Sequence, residues 1–191
     1  MAWCHSPNHP DLATPAGDKR TTRYNVDSLW PTAFFDGTDR APQLADPDPM
    51  YKAYDSMVRQ ARSQTTVLEL SMDSAATRLD STELSIGVHI TPTDSAVNSM
   101  ADLALIAVIY EDSAPYEYWG GATNYIRFCA REVIGGTWGI PLTLRLGADY
   151  DTVLTAPLGA WDRSHLGAAV FVQDTSSLRV LQAVGKRRFA D

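Results

Sequence analysis

The sequence predicts a mostly β chain: a seven-stranded antiparallel β-sandwich preceded by an α+β N-terminal part. Three observations carry that expectation. From about residue 65 the apolar residues repeat with a period of 2, the signature of strands with one buried and one wet face. Turn formers separate most of these runs. The first 50 residues differ in composition, with Pro7, Pro10, Pro15, Gly17, Pro31, Gly37, Pro42, Pro47 and Pro49 among them. The length of 191 residues and 45% hydrophobic content suffice for a core without disulfide staples.

Taken in order, residues 32–35 (TAFF) are apolar and end at Asp36-Gly37, which reads as a strand entering a tight turn. Asp48-Pro49 provides a cap and a proline at the first helical position, so an amphipathic helix is expected to run to about Gln64. Met50, Tyr54, Met57, Val58 and Ala61 form its apolar stripe. Strands follow at 67–72 and 84–90; in the second, Leu84, Ile86, Val88 and Ile90 alternate with Ser85, Gly87 and His89. Residues 103–110 are apolar on both faces and read as a central strand. Residues 124–134, stopped by Gly135-Gly136, fit helical spacing. Leu142, Leu144 and Leu146 alternate again, 151–156 is a weaker strand, and 168–173 and 178–184 make a closing hairpin across residues 174–177. The organisation expected is residues 1–45, a connecting helix at 46–64, and a sandwich at 65–191.

The formal net charge of −7 and the pI near 5.0 argue against a nucleic-acid partner. No apolar run has the length of a transmembrane segment, and MAWCHSPNHP lacks the pattern of a signal peptide. Cys4 and Cys129 are too few and too far apart for a disulfide framework or a CxxC pair. Cys129, between Phe128 and Ala130, reads as a buried structural thiol. No nucleophile elbow, phosphate-binding loop or HExxH motif is present, so no cofactor is expected. His5 and His9 are the weak metal candidates, and Pro7 and Pro10 deny them the helix that would align two ligands, so no metal is expected. His89 and His165 read as surface or turn residues. Glu111, Asp112, Glu117, Glu132, Asp149, Asp151 and Asp162 read as a solvated acidic rim rather than a calcium site. Tyr116, Tyr118, Trp119 and Tyr125 cluster after the central strand. They form either a binding surface for sugar or peptide or a lid folded over the core. Lys186-Arg187-Arg188 reads as an exposed, inert basic tail.

Two stretches carry a resemblance. Residues 165–184 (HLGAAVFVQDTSSLRVLQAV) resemble the closing hairpin of the twenty-eight-kilodalton outer-membrane-protein-related family. Residues 105–112 (LIAVIYED) and 124–139 (NYIRFCAREVIGGTWG) are similar to a strand and a helix upstream of it. Residues 9–37, ending in LWPTAFFDG, resemble the thioredoxin-like unit that precedes this domain in the same family. The resemblance implies that Pro31 takes the thioredoxin-like cis-proline position, with residues 32–35 as the strand after it. Only 30 residues precede Pro31, so residues 2–5 are expected to be the second strand of a truncated thioredoxin-like segment without its redox helix.

The resemblance therefore implies a bacterial cell-envelope or secreted binding or structural protein acting through surface interaction or assembly, without catalysis. A protein partner or self-association through the N-terminal sheet edge is expected, since an unpaired edge is normally covered. The alternatives are a thioredoxin-like redox protein and an accessory subunit of an envelope complex or filament that uses strand addition.

Overall fold

The structure, a computed structural model, describes residues 12–25, 33–118 and 122–189. Pro31, His5, His9, Cys4 and the strand expected at residues 2–5 lie outside them.

The first element is a helix that composition concealed. α1 (Pro15–Arg23) begins where Thr14 Oγ1 accepts the Gly17 N–H at 3.0 Å, with Pro15 at the first helical position. Asp18 in its first turn and Arg20 and Arg23 in its last complement the helix dipole. β1 (Phe34–Phe35) and β2 (Asp39–Arg40) then pair antiparallel around the expected turn, with Asp36 and Gly37 both at positive φ. α2 (Pro47–Ser63) begins two residues before the expected position. The repeat Asp46-Pro47-Asp48-Pro49 holds two equivalent caps. The earlier is used because the first turn needs no N–H acceptors, so both prolines are tolerated, and Asp46 accepts the Asp48 N–H at 3.0 Å. The Tyr54 ring meets Phe35 edge-on at 5.5 Å.

The remainder is mostly antiparallel β. β3 (Leu68–Leu79), β4 (Glu83–Pro92) and β10 (Tyr150–Pro157) form one sheet in the order β10-β4-β3. The other has the order β12-β11-β5-β8, from β12 (Val180–Lys186), β11 (Leu166–Asp174), β5 (Leu103–Glu111) and β8 (Cys129–Ile134). The short β9 (Ile140–Leu142) shares the β8 edge of β5, pairing with its first residues as β8 pairs with its last. The 124–134 helix is not formed: β7 (Ala122–Ile126) and β8 occupy it, divided by Arg127-Phe128. The reason is a turn without a turn residue, since Phe128 itself adopts φ 55°.

The sheets meet through Leu84, Ile86, Val88 and Ile90 of β4, Leu105, Ala107 and Ile109 of β5, and Ala168, Val170 and Val172 of β11. Thr66 Oγ1 ties the start of β3 to the Leu181 carbonyl of β12 at 3.1 Å. β5 is buried on both faces because its other face, Ala104, Ile106 and Val108, packs with Ala130, Val133, Phe171 and Ala16 of α1. The N-terminal segment thus covers the outside of the larger sheet. On the smaller sheet, a bulge in β3 between Asp73 and Arg78 folds over Gly87. A Cβ there would stand 2.6 Å from that of Ala76, and Thr77 Oγ1 accepts the Gly87 N–H at 3.0 Å.

Candidate functional site

The central strand runs out into an arm. Past Glu111 the chain forms β6 (Ala114–Tyr118), which pairs with β7 in register Ala114↔Ile126, Pro115↔Tyr125, Tyr116↔Asn124, Glu117↔Thr123 and Tyr118↔Ala122. This two-stranded hairpin belongs to neither sheet of the sandwich. Directly opposed residues share a face. Tyr116 and Ile126 therefore lie on one side, where with Ala114, Cys129 and Leu12 they make a small apolar cluster. Tyr125 lies on the other, opposite Pro115, and is 64% exposed. Of the four aromatics singled out in the sequence, Tyr116 is thus part of the packing and Tyr125 faces solvent. Trp119 lies outside the described residues, and Tyr118 pairs through its backbone with Ala122. Cys129 is fully buried, out of reach of thiol exchange, though on a strand rather than a helix.

Two carboxylates anchor the base of the arm. Glu111 and Asp112 are buried, where the sequence suggested a solvated rim. Glu111 pairs with Arg131 at 2.6 Å, accepts its Nε–H at 2.7 Å, and takes the Asp162 N–H at 3.1 Å. Asp112 accepts Nη2–H of Arg127 at 2.9 Å and Nε–H of the same guanidinium. Those bonds from Arg127, foremost, hold the Asp112 carboxyl below its usual range against the opposing effect of burial. A further bond comes from the Phe128 backbone N–H, so Asp112 holds the turn in which Phe128 has positive φ. The Phe128 ring lies edge-on to Tyr110 at 5.5 Å, with the guanidinium carbons of Arg127 and Arg187 at 5.1 and 5.6 Å from its centroid.

A second constellation lies on the outer face of the smaller sheet. Asp151 Oδ1 is 2.7 Å from His89 Nδ1, and Thr91 Oγ1 is 3.0 Å from His89 Nε2. The order carboxylate, imidazole, hydroxyl is that of a hydrolytic relay, but Asp151 is 74% exposed and such relays work in water-excluded sites. Its chemistry is that of a cross-strand pair between β4 and β10, which raises the His89 pKa chiefly through the Asp151 bond. His165 stays apart, 3.5 Å from Asp162.

At the opposite end of β5 lies a junction that sequence reading missed. Gln173, buried on β11, donates to the Leu178 carbonyl at 2.6 Å and to the Tyr24 hydroxyl at 3.1 Å, and its Oε1 is 3.4 Å from Arg20 Nη1. The buried Arg20 guanidinium lies 5.9 Å from the Phe171 ring and 6.0 Å from that of Trp138. Gly37 fits only as glycine, because a Cβ would stand 1.9 Å from the Leu178 oxygen. The Asp36 carbonyl accepts the Val180 N–H at 2.8 Å. The FFDG block and the VQD hairpin are therefore bonded to each other. The available signal was Gln173 itself, an amide closing the apolar run of β11.

Among the described residues no group of three or more His, Cys, Asp or Glu is arranged to hold a metal. No helix among them is long and apolar enough to cross a membrane.

No family model matches this chain, and no curated protein matches it. Among solved structures it is similar to HBP35 of Porphyromonas gingivalis, with a TM-score of 0.75 and 10% identity over 97% of this chain. It also matches a domain of the outer membrane lipoprotein Omp28 from the same organism, with a TM-score of 0.45 and 14% identity, over 64% of this chain and 95% of that one. A β-glucosidase from Kluyveromyces marxianus follows at a TM-score of 0.33 and 12% identity, over 64% of this chain and 14% of that one. The likeness to HBP35 shows a shared fold that includes the N-terminal segment, and this chain spans 61% of that protein's length.

Proposed function

We propose that this chain is a non-catalytic binding module of a bacterial cell envelope or secreted surface, acting through the β6–β7 hairpin. The observation that carries the reading is the construction of that arm. It leaves the sandwich, its base is fixed by two carboxylate–guanidinium pairs, and it turns Tyr125 outward beside Pro115. An exposed aromatic side chain on a pinned hairpin gives contact area at little entropic cost. The fold shared with HBP35, and the resemblance of residues 9–37 and 165–184 to an outer-membrane-protein-related family, support the envelope setting. The thioredoxin-like ancestry of residues 1–45, with Pro31 at its cis-proline position, belongs to the same reading.

A glycan and peptide array probed with the wild type and with Tyr118→Ala, Trp119→Ala and Tyr125→Ala variants tests it. A signal lost in the variants while the far-ultraviolet circular dichroism is kept supports the proposal. An unchanged signal, or no ligand for the wild type, makes the arm structural.

A further inference from the structure

The sheet edges of the sandwich are protected unequally. β3 is bulged between Asp73 and Arg78. β8 carries Arg131 and Glu132 and slips register against β5 at Ile109–Tyr110. β12 carries Lys186 and slips against β11 at Val172–Gln173. Charges and bulges of this kind keep an edge from accepting another strand. β10 has neither device. It pairs with β4 without a shift over all eight of its residues. Its other side is the edge of the smaller sheet, and among the described residues no further backbone hydrogen bond reaches it there. Its one charged residue, Asp151, is turned to His89 at 2.7 Å. Pro157, which cannot donate to a ladder, stands at its end.

The two faces of β10 state what could lie beside it. Leu154 and Ala156 are buried in the core, whereas Tyr150 and Thr152, on the same face by alternation, are only half-buried. On the outer face Val153 is 54% exposed. A strand that completes this edge has to cover Tyr150 and Thr152 on one face and Val153 on the other, and to set no carboxylate opposite Asp151. β10 of a second copy, run antiparallel about Val153, meets all of these terms. Val153 then faces its own counterpart, Thr152 faces Leu154, Tyr150 faces Ala156 and Asp151 faces Thr155, with Pro157 outside the ladder. An axis at Asp151 opposes two carboxylates, one at Thr152 sets Val153 against Asp151, and one at Leu154 brings Pro157 into the ladder. We propose that β10 is a homodimer edge, joining the three-stranded sheets of two copies into one continuous sheet about Val153. The surface is separate from the β6–β7 hairpin and does not depend on that arm binding anything.

The test is sedimentation equilibrium of the full chain, wild type and Val153→Lys, over a range reaching about 0.5 mM. A dimer with a Kd of about 0.1 mM is expected, as suits an interface of one strand pair. Val153→Lys is expected to weaken it about tenfold, because two ammonium groups then oppose each other. Circular dichroism of that variant should match the wild type, since the side chain faces water in the monomer. The register is read by mild oxidation of Val153→Cys and Thr155→Cys, each in a Cys4→Ser background. Val153→Cys is expected to cross-link. Thr155→Cys is not, because its two copies stand about 13 Å apart along the strands. A chain that stays monomeric throughout leaves the edge to a foreign strand and overturns the proposal. So does a dimer that Val153→Lys leaves intact, or one that cross-links through Thr155→Cys as readily as through Val153→Cys.

Discussion

The two ends of β5 treat their polar groups in opposite ways. At its N-terminal end, the Gln173 amide, the Leu178 carbonyl, the Tyr24 hydroxyl and the Arg20 guanidinium are turned on one another beneath the N-terminal segment. At its C-terminal end, Glu111 and Asp112 fix two arginines, but the arm beyond them presents Tyr125 and Arg127 to solvent. The first end turns its hydrogen bonds to holding two segments together. The second uses its buried charge to fix the base of a hairpin whose Tyr125 and Arg127 side chains are exposed. Both ends of β5 are thus pinned by polar groups, but only beyond the C-terminal end does a hairpin with an exposed tyrosine follow.

Substitutions sharpen or break that contrast. Glu111→Gln leaves Arg131 in a nearly buried site without its carboxylate, and chemical denaturation is expected to show a loss of about 4 kcal/mol. A change under about 1 kcal/mol would mean that the base of the arm is not structural. Ile106→Ala opens a cavity between the larger sheet and α1 and is expected to cost about 3 kcal/mol in the same measurement. Gly37→Ala forces a Cβ against the Leu178 oxygen at positive φ and is expected to cost about 2 kcal/mol. Tyr125→Ala is expected to change stability by less than about 0.5 kcal/mol, because the ring faces water.

The smallest effect is that of pH on His89. Its folded pKa is raised, chiefly by the Asp151 bond, so its stabilising contribution is complete below the ordinary imidazole range and fades as pH rises through the folded value. An NMR titration should place His89 above that range, and Asp151→Asn should return it there. Asp112 has the opposite sign: its pKa is lowered, so its contribution is present above the usual carboxylate range and is lost as pH falls through the lowered value.

Much of this was legible in the sequence where one face is wet. Leu84, Ile86, Val88 and Ile90 alternate with residues of the outer face, and β4 lies where that alternation puts it. β5 was legible as central because it is apolar on both sides, although the partner on its second face, α1, was not. α1 was hidden because Thr14-Pro15 and Gly17 resemble a turn as much as a cap, and only the docked sheet decides between them. Residues 124–134 misled because their apolar spacing fits a helix. The turn that splits them is made by Phe128 at positive φ, a position usually given to glycine or asparagine, so composition offered no break. Burial of Glu111 and Asp112 was equally hidden. Their arginines lie 20 and 15 residues away, beyond any local pattern. At the arm, the sequence located the aromatics but not which of them the hairpin turns inward. Pro31, Trp119, His5 and His9 lie outside the described residues.

The proposed binding role of the arm is tested most directly by shortening it. Replacing residues 117–123 with Asn-Gly, together with Tyr125→Ala, removes the outward aromatics, keeps the Tyr116↔Asn124 pair at the new turn and leaves the Leu12–Cys129 cluster intact. The account predicts an unfolding free energy, from urea denaturation, within about 0.5 kcal/mol of the wild type, together with loss of the array signal. A shortened chain that unfolds, or one that keeps its ligands, would contradict it.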